Sequence, residues 1–179
     1  MIRIPAYLHE IFGETQTRAE ILLVLGFGAI GTLALVVLDP WAFGDIPLWR
    51  AVIAAVLAFD ICAGAVANLT AGTSDHYAAR PRARWVFIAV HLHLVAIAWL
   101  FGEGMFEAVA VWLYTVAAAS AVNLLHGRRT QRPVAGALFA LGALMVLLLG
   151  PAMLPALQAL CVVFMFKVIY AFGVSHRAA

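Results

Sequence analysis

The chain has 179 residues, 65% of them hydrophobic and 11% charged, with a net charge of +2. A soluble domain carries about 25% charged residues, so the composition excludes an ordinary soluble globular protein. The basic residues follow the gaps between apolar runs rather than forming a stripe, which excludes a nucleic-acid partner.

The apolar runs approach the roughly 20 residues that cross a bilayer. They do not alternate as barrel strands do. The fold class expected is all-α: a single polytopic domain over 1–179, built as a six-transmembrane-helix bundle. The spans are read at roughly 20–38, 48–70, 85–101, 106–125, 134–150 and 153–174, with ends good to about ±2–4 residues.

The first residues, IRIPAYLHEIFGE, mix apolar and charged positions. They fit a short helix lying in the interface, or equally a disordered leader. No cleavable export signal is expected, because the first apolar run begins late and lacks a small-residue cleavage site. Thr17 and Glu20 form a T-x-x-E capping box ahead of the first span. Asp45 and Pro47 read as the cap and first-turn proline of the second.

The second span contains FDICAGAVANLTAGTSDHY. Asp60, Gly64 and Asn68 are four apart and share one helix face. A carboxyl inside a membrane is costly and marks a functional site more often than not, so Asp60 is a candidate catalytic residue. Gly64 would let a ligand or another helix approach closely. Asn68 is a candidate substrate-binding residue, with interhelical hydrogen bonding as its own expected role. The following Asp75 and His76 read as a solvated turn.

The third span contains WVFIAVHLHLVAIAW. On a continuous helix His91 and His93 point about 200° apart, so H-x-H is a weak metal signal there. Arg84 and His91 are seven apart and share a face, which favours His91 as the inward residue with His93 packing elsewhere, and a one-residue shift of the inward face would swap the two. The fourth span offers Thr115, Ser120 and Asn123, with Asn123 near enough to its end to bind substrate. Thr130 and Pro133 open the fifth span, and Gly150-Pro151 separates it from the sixth.

The sixth span, LCVVFMFKVIYAFGV, holds the chain's only lysine, Lys167. It lies about 7–10 residues from the helix end, ~10–15 Å away, too far to reach the interface by stretching alone. A watery cavity or an acidic partner is expected instead. Tyr170 is three residues on and shares its face on an α-helix. Gln158 points the opposite way and is left out. Cys62 and Cys161 both fall in apolar runs and read as small buried hydrophobes.

Arginines order the topology. Arg3, Arg18, Arg80, Arg82, Arg84, Arg128, Arg129, Arg132 and Arg177 fall on one side and only Arg50 on the other. Cytoplasmic loops carry the excess of Lys and Arg, so a multi-pass protein of the cell membrane with both termini cytoplasmic is expected. At 1.5 Å per residue, Asp60 lies ~15 Å, and His91 and Lys167 ~10 Å, from that side. The expectation is a cytoplasm-facing polar cavity lined by spans two, three, four and six, with Asp60 as the partner of Lys167.

Carboxyl, imidazole, amine and phenol are the usual acid–base groups, so Asp60, His91, Lys167 and Tyr170 are the candidate catalytic set. Gly64, Asn68 and Asn123 are the candidate substrate-binding set. Three functions stay open: an intramembrane enzyme acting on a lipid-soluble molecule, a small-solute or proton-coupled transporter, and a non-catalytic assembly subunit. The partners expected are the lipid bilayer and an apolar small molecule or small solute. A transporter of only six spans would work as a homo-oligomer or with partner subunits. No cofactor is assigned. A metal version would recruit His91 with Asp75, His76 or Asn68, but no spaced metal motif is present.

Overall fold

A computed structural model describes residues 1–150 and 153–176. Pro151 and Arg177, named above as a breaker and a topology residue, lie outside the described residues. Among the described residues, six helices are long and apolar enough to cross a membrane. The first span is α2 (Arg18–Leu38) and the second α4 (Leu48–Ala67). The third is made of α6 (Pro81–Val90) and α7 (His93–Phe101). The fourth is α8 (Met105–Leu124) and the fifth α9 (Gln131–Leu149). The sixth joins α10 (Pro155–Met165) to a π-helical segment, Phe166–Phe172.

Shorter elements fill the gaps. The amino-terminal segment holds strands β1 (Ile2–Arg3) and β2 (Thr15–Gln16), paired antiparallel, with α1 (His9–Phe12) between them. Helix α3 (Pro40–Gly44) follows the first span, and α5 (Ala71–Ala78) the second.

The local chemistry explains most boundaries. The expected capping box is formed: Glu20 N–H donates to Thr17 Oγ1, and Thr17 N–H to Glu20 Oε2 at 2.7 Å. The second span starts differently from expectation. Pro47 is itself the N-cap of α4, and Asp45 terminates α3. Asp39 is buried and accepts from two helix starts: Ala42 N–H of α3 at 3.4 Å and Ala156 N–H of α10 at 2.9 Å.

Packing places the sixth span at the centre. In its membrane-length window 61% of residues are buried, against 11% for α2. Helix α2 lies against α4, where Gly28 and Gly31 seat Phe59 and Cys62 at close range. Its other faces carry exposed Leu22, Leu23, Ile30 and Leu33, as a lipid-facing surface requires. Helix α4 also packs against α7 and the π-helical segment. Helix α6 packs instead against α5 and α8. Both halves of the third span touch α8, but only α7 packs closely on α4, and this difference opens the candidate site.

Candidate functional site

The third span breaks at His91. Its φ of −78° and ψ of 71°, with Leu92 N–H donating to Val90 O at 2.8 Å, form an inverse γ-turn. The turn parts α6 from α4 while α7 stays against it. Between them lies a pocket of about 330 Å³.

The pocket's polar residues converge on Asp60. Lys167 Nζ donates to Asp60 Oδ2 at 2.6 Å and to the Asp60 carbonyl at 3.2 Å. His93 Nε2 lies 3.5 Å from the same Oδ2. The Lys167 side chain is 3% exposed and that of Asp60 42%, so the amine is sealed and the carboxyl faces the pocket. Gly64 makes the pairing sterically feasible. A Cβ there would overlap Lys167 Cε and fall 2.7 Å from Nζ, so the lysine lies directly across the glycine. Asn68 donates from Nδ2 to the Lys167 carbonyl at 3.3 Å, the interhelical role expected of it.

Both histidines line the pocket, with ring centroids 5.2 Å apart. This corrects the expectation that His93 packs elsewhere. The 200° separation assumed a continuous helix, and the γ-turn removes that assumption. His91 Nδ1 is 2.5 Å from the Phe87 carbonyl. A carbonyl can only accept, so Nδ1 carries the proton and the Nε2 lone pair is left available. His93 Nδ1 is buried without a hydrogen-bond partner.

Two other expected members are elsewhere. Tyr170 does not line this pocket; its ring packs with Phe166 and His176. On an α-helix it would stand about 60° from Lys167. The π-helical segment turns less per residue, which carries Tyr170 away from the lysine's face. Asn123 belongs to a separate cluster. Arg84 Nε donates to Asn123 Oδ1 at 2.6 Å, and Arg84 Nη2 to the Gly173 carbonyl at 3.0 Å, with the guanidinium 5.0 Å from the Phe172 ring centroid. Gln131 Nε2 donates to the same carbonyl at 2.8 Å. The fourth span therefore contributes no pocket residue.

Its place is taken by residues that the sequence reading left out. Glu10 and Ile11 of α1 and Tyr77 of α5 line the pocket. Tyr77 O–H donates to the Glu10 carbonyl at 3.0 Å, and Thr73 O–H to the Ile11 carbonyl at 3.2 Å. Gln16, fully buried, donates to Phe12 O and Thr70 Oγ1. A Cβ on Gly13, whose φ is +70°, would collide with the Gly72 backbone. The amino-terminal segment is thus an ordered cover rather than a disordered leader. The signal in the sequence is the two glycines: a Cβ on Gly13 would meet the Gly72 carbonyl, and one on Gly72 the Thr15 carbonyl.

Asp75 and His76 lie on α5 rather than in a turn, and His76 is buried. Arg80 Nη1 is 3.0 Å from His76 Nδ1, and Arg80 Nη2 donates to Glu14 Oε1 at 2.9 Å. That hydrogen bond, and the Arg80 charge, hold the Glu14 carboxyl below its ordinary range. Burial, and then Arg80, push the His76 imidazole down. Burial, and then Glu10, push the Tyr77 phenol up. Cys62 and Cys161 are free and buried, as expected.

The chain matches no protein-family model, no curated protein and no solved structure.

Proposed function

We propose that the protein is an intramembrane enzyme that moves protons on a lipid-soluble small molecule bound in the Asp60 pocket. The observation that carries the reading is a single Asp60 Oδ2 held 2.6 Å from a buried Lys167 Nζ and 3.5 Å from His93 Nε2, with Asp60 facing a pocket. An amine, a carboxyl and an imidazole in contact can pass a proton among themselves, which is what general acid–base catalysis needs. His91, with an available Nε2, is the second base. Val86 and Val90 line the pocket and are 59% and 58% exposed. The gap between α4 and α6 therefore offers an apolar molecule a sideways entrance. Asp60, His91, His93 and Lys167 are the residues assigned to chemistry. Gly64 and Asn68 shape and hold the site.

The arginine distribution supports a cytoplasmic location for the α5 end, with both chain ends on that side of a cell membrane. Under this topology the pocket is a cytoplasm-facing polar cavity within the membrane. Its partners are the bilayer and the apolar substrate.

The test uses purified protein in nanodiscs, mixed with a total lipid and isoprenoid extract and followed by mass spectrometry. Wild type should deplete at least one species and raise another, and Asp60→Asn should abolish the change. An extract left unaltered by folded wild type would overturn the reading.

A second reading is a proton-coupled transporter. A broken third span and a π-helical sixth are the discontinuous elements around which transporter sites are built. Six spans would then operate as a homo-oligomer. Proton flux into proteoliposomes, lost in Asp60→Asn while lipid composition stays constant, separates this reading from the first.

A further inference from the structure

We propose that His9, Glu14 and His76 form a binding site for a divalent transition-metal ion of the zinc class, and that the ion clips the amino-terminal segment to α5 beside the pocket. One donor atom from each residue lies within 4.8 Å of the other two. Two imidazoles and a carboxylate, with a water in the fourth position, are an accepted zinc set. Around a tetrahedral ion with bonds of about 2.1 Å, donor atoms stand about 3.4 Å apart. The required contraction is at most about 1.4 Å, and Glu14, whose side chain is 58% exposed, is free to rotate toward the histidines.

The surroundings prepare the ligands. His9 Nε2 is 2.8 Å from the Ile4 carbonyl, so it carries the proton and Nδ1 is left as the donor atom. A ligating histidine normally fixes its other nitrogen on a carbonyl in this way. His76 is buried, and its ring meets that of His9 edge to face at 5.9 Å. Most telling is Arg80. Its two terminal nitrogens lie at 3.0 Å from His76 Nδ1 and 2.9 Å from Glu14 Oε1. The lone pairs of both groups are directed at a cation, and the guanidinium fills that role. Arg80 is 43% exposed at the end of α5 and can swing into water when an ion takes its place.

The site joins two parts of the chain. His9 and Glu14 flank Glu10 and Ile11, which line the pocket, and His76 precedes Tyr77, which lines it from α5. An ion there fixes the cover to α5. The inference is independent of the chemistry assigned to Asp60.

The experiment titrates tag-free, chelator-treated full-length protein in detergent with zinc by calorimetry, and follows hydrogen exchange over residues 2–16. Wild type should bind one equivalent, with slower exchange in that segment. His9→Ala and His76→Ala should each weaken binding by roughly 10–100-fold or more. Arg80→Gln should tighten it, because the competing cation is gone. His9 is only partly buried, so its variant keeps the test valid if His76→Ala does not fold. Absence of saturable binding overturns the proposal. So does binding that survives His9→Ala, or that Arg80→Gln weakens or leaves unchanged.

Discussion

Two polar clusters lie inside this bundle, and they are finished differently. Around Asn123, the donors of Arg84 and Gln131 are spent on Asn123 Oδ1 and the Gly173 carbonyl, while Phe172 covers the guanidinium. Around Asp60, the lysine is sealed but the carboxyl is half exposed to a pocket, and His93 keeps a buried nitrogen without a partner. The first cluster is closed and ties α6, α8 and α9 to the end of the sixth span. The second is open and can still accept a proton or a ligand. Polar residues in a membrane span thus divide by whether their atoms remain available, a property that depth and residue type do not reveal.

The comparison breaks most sharply at Asp60. Replacing Asp60 by Asn leaves the sealed Lys167 charge without its counter-ion, and should destabilise the fold by about 3–5 kcal/mol. Replacing Lys167 by Met leaves a carboxyl that reaches the pocket's water, and should cost clearly less. Denaturation of both variants in detergent measures the asymmetry. Equal losses would mean that Asp60 is as sealed as Lys167. Both variants should lose the depletion activity.

Arg84→Met comes next. It strands Asn123 Oδ1 and leaves the Gly173 carbonyl to Gln131 alone, at a cost of about 1–3 kcal/mol. Activity per folded molecule should stay at the wild-type level, since neither Arg84 nor Asn123 lines the pocket. A fall in that specific activity would join the two clusters into one site.

Gly64→Ala should have a smaller effect on stability and a selective effect on chemistry. The added methyl displaces Lys167 from its seat across α4, so activity should fall while the helical circular dichroism is unchanged. Unchanged activity would show that the 2.6 Å contact is not needed.

The smallest expected effect is a pH dependence at His176, which lies beyond the last span. Its backbone N–H donates to Ser74 Oγ at 3.0 Å, and its Nε2 to the Ala171 carbonyl at 2.9 Å. Burial holds its pKa below the usual 6.5, and the two carbonyl bonds only partly oppose this. Below pH about 6.5 the unfolded chain therefore takes up a proton that the folded chain resists, so stability falls as pH falls. Above that pH this residue contributes no slope. Thermal midpoints from pH 8 to 5, compared between wild type and His176→Asn, should show a shallower acid decline in the variant.

Much of the scaffold was readable because hydrophobic runs and caps are local signals. The six spans, the Thr17–Glu20 box and the buried cysteines all belong to that class. The partnership of Lys167 with Asp60 was also readable, since an isolated membrane charge demands a counter-ion and few candidates exist. What escaped is where backbone departs from the α-helix without glycine or proline to announce it. VHLHLV holds a γ-turn and FKVIYAF a π-helical turn, yet both read as uniform apolar helix. Each departure reassigns one face: the first brings His93 in, and the second takes Tyr170 out. The cover escaped for another reason. Its contacts are between segments more than 50 residues apart, and no periodicity links them.

Asp39 has a consequence for assembly in time. One carboxylate holds the start of α3 through Oδ1 and the start of α10, 117 positions later, through Oδ2. Spans enter a membrane in the order of synthesis, so for most of that interval Asp39 can serve only its nearer helix. Arrival of the last span completes its bonding and joins the outermost helix pair to the central one. The carboxylate therefore works as a closing latch, stabilising the finished six-span bundle over every shorter intermediate.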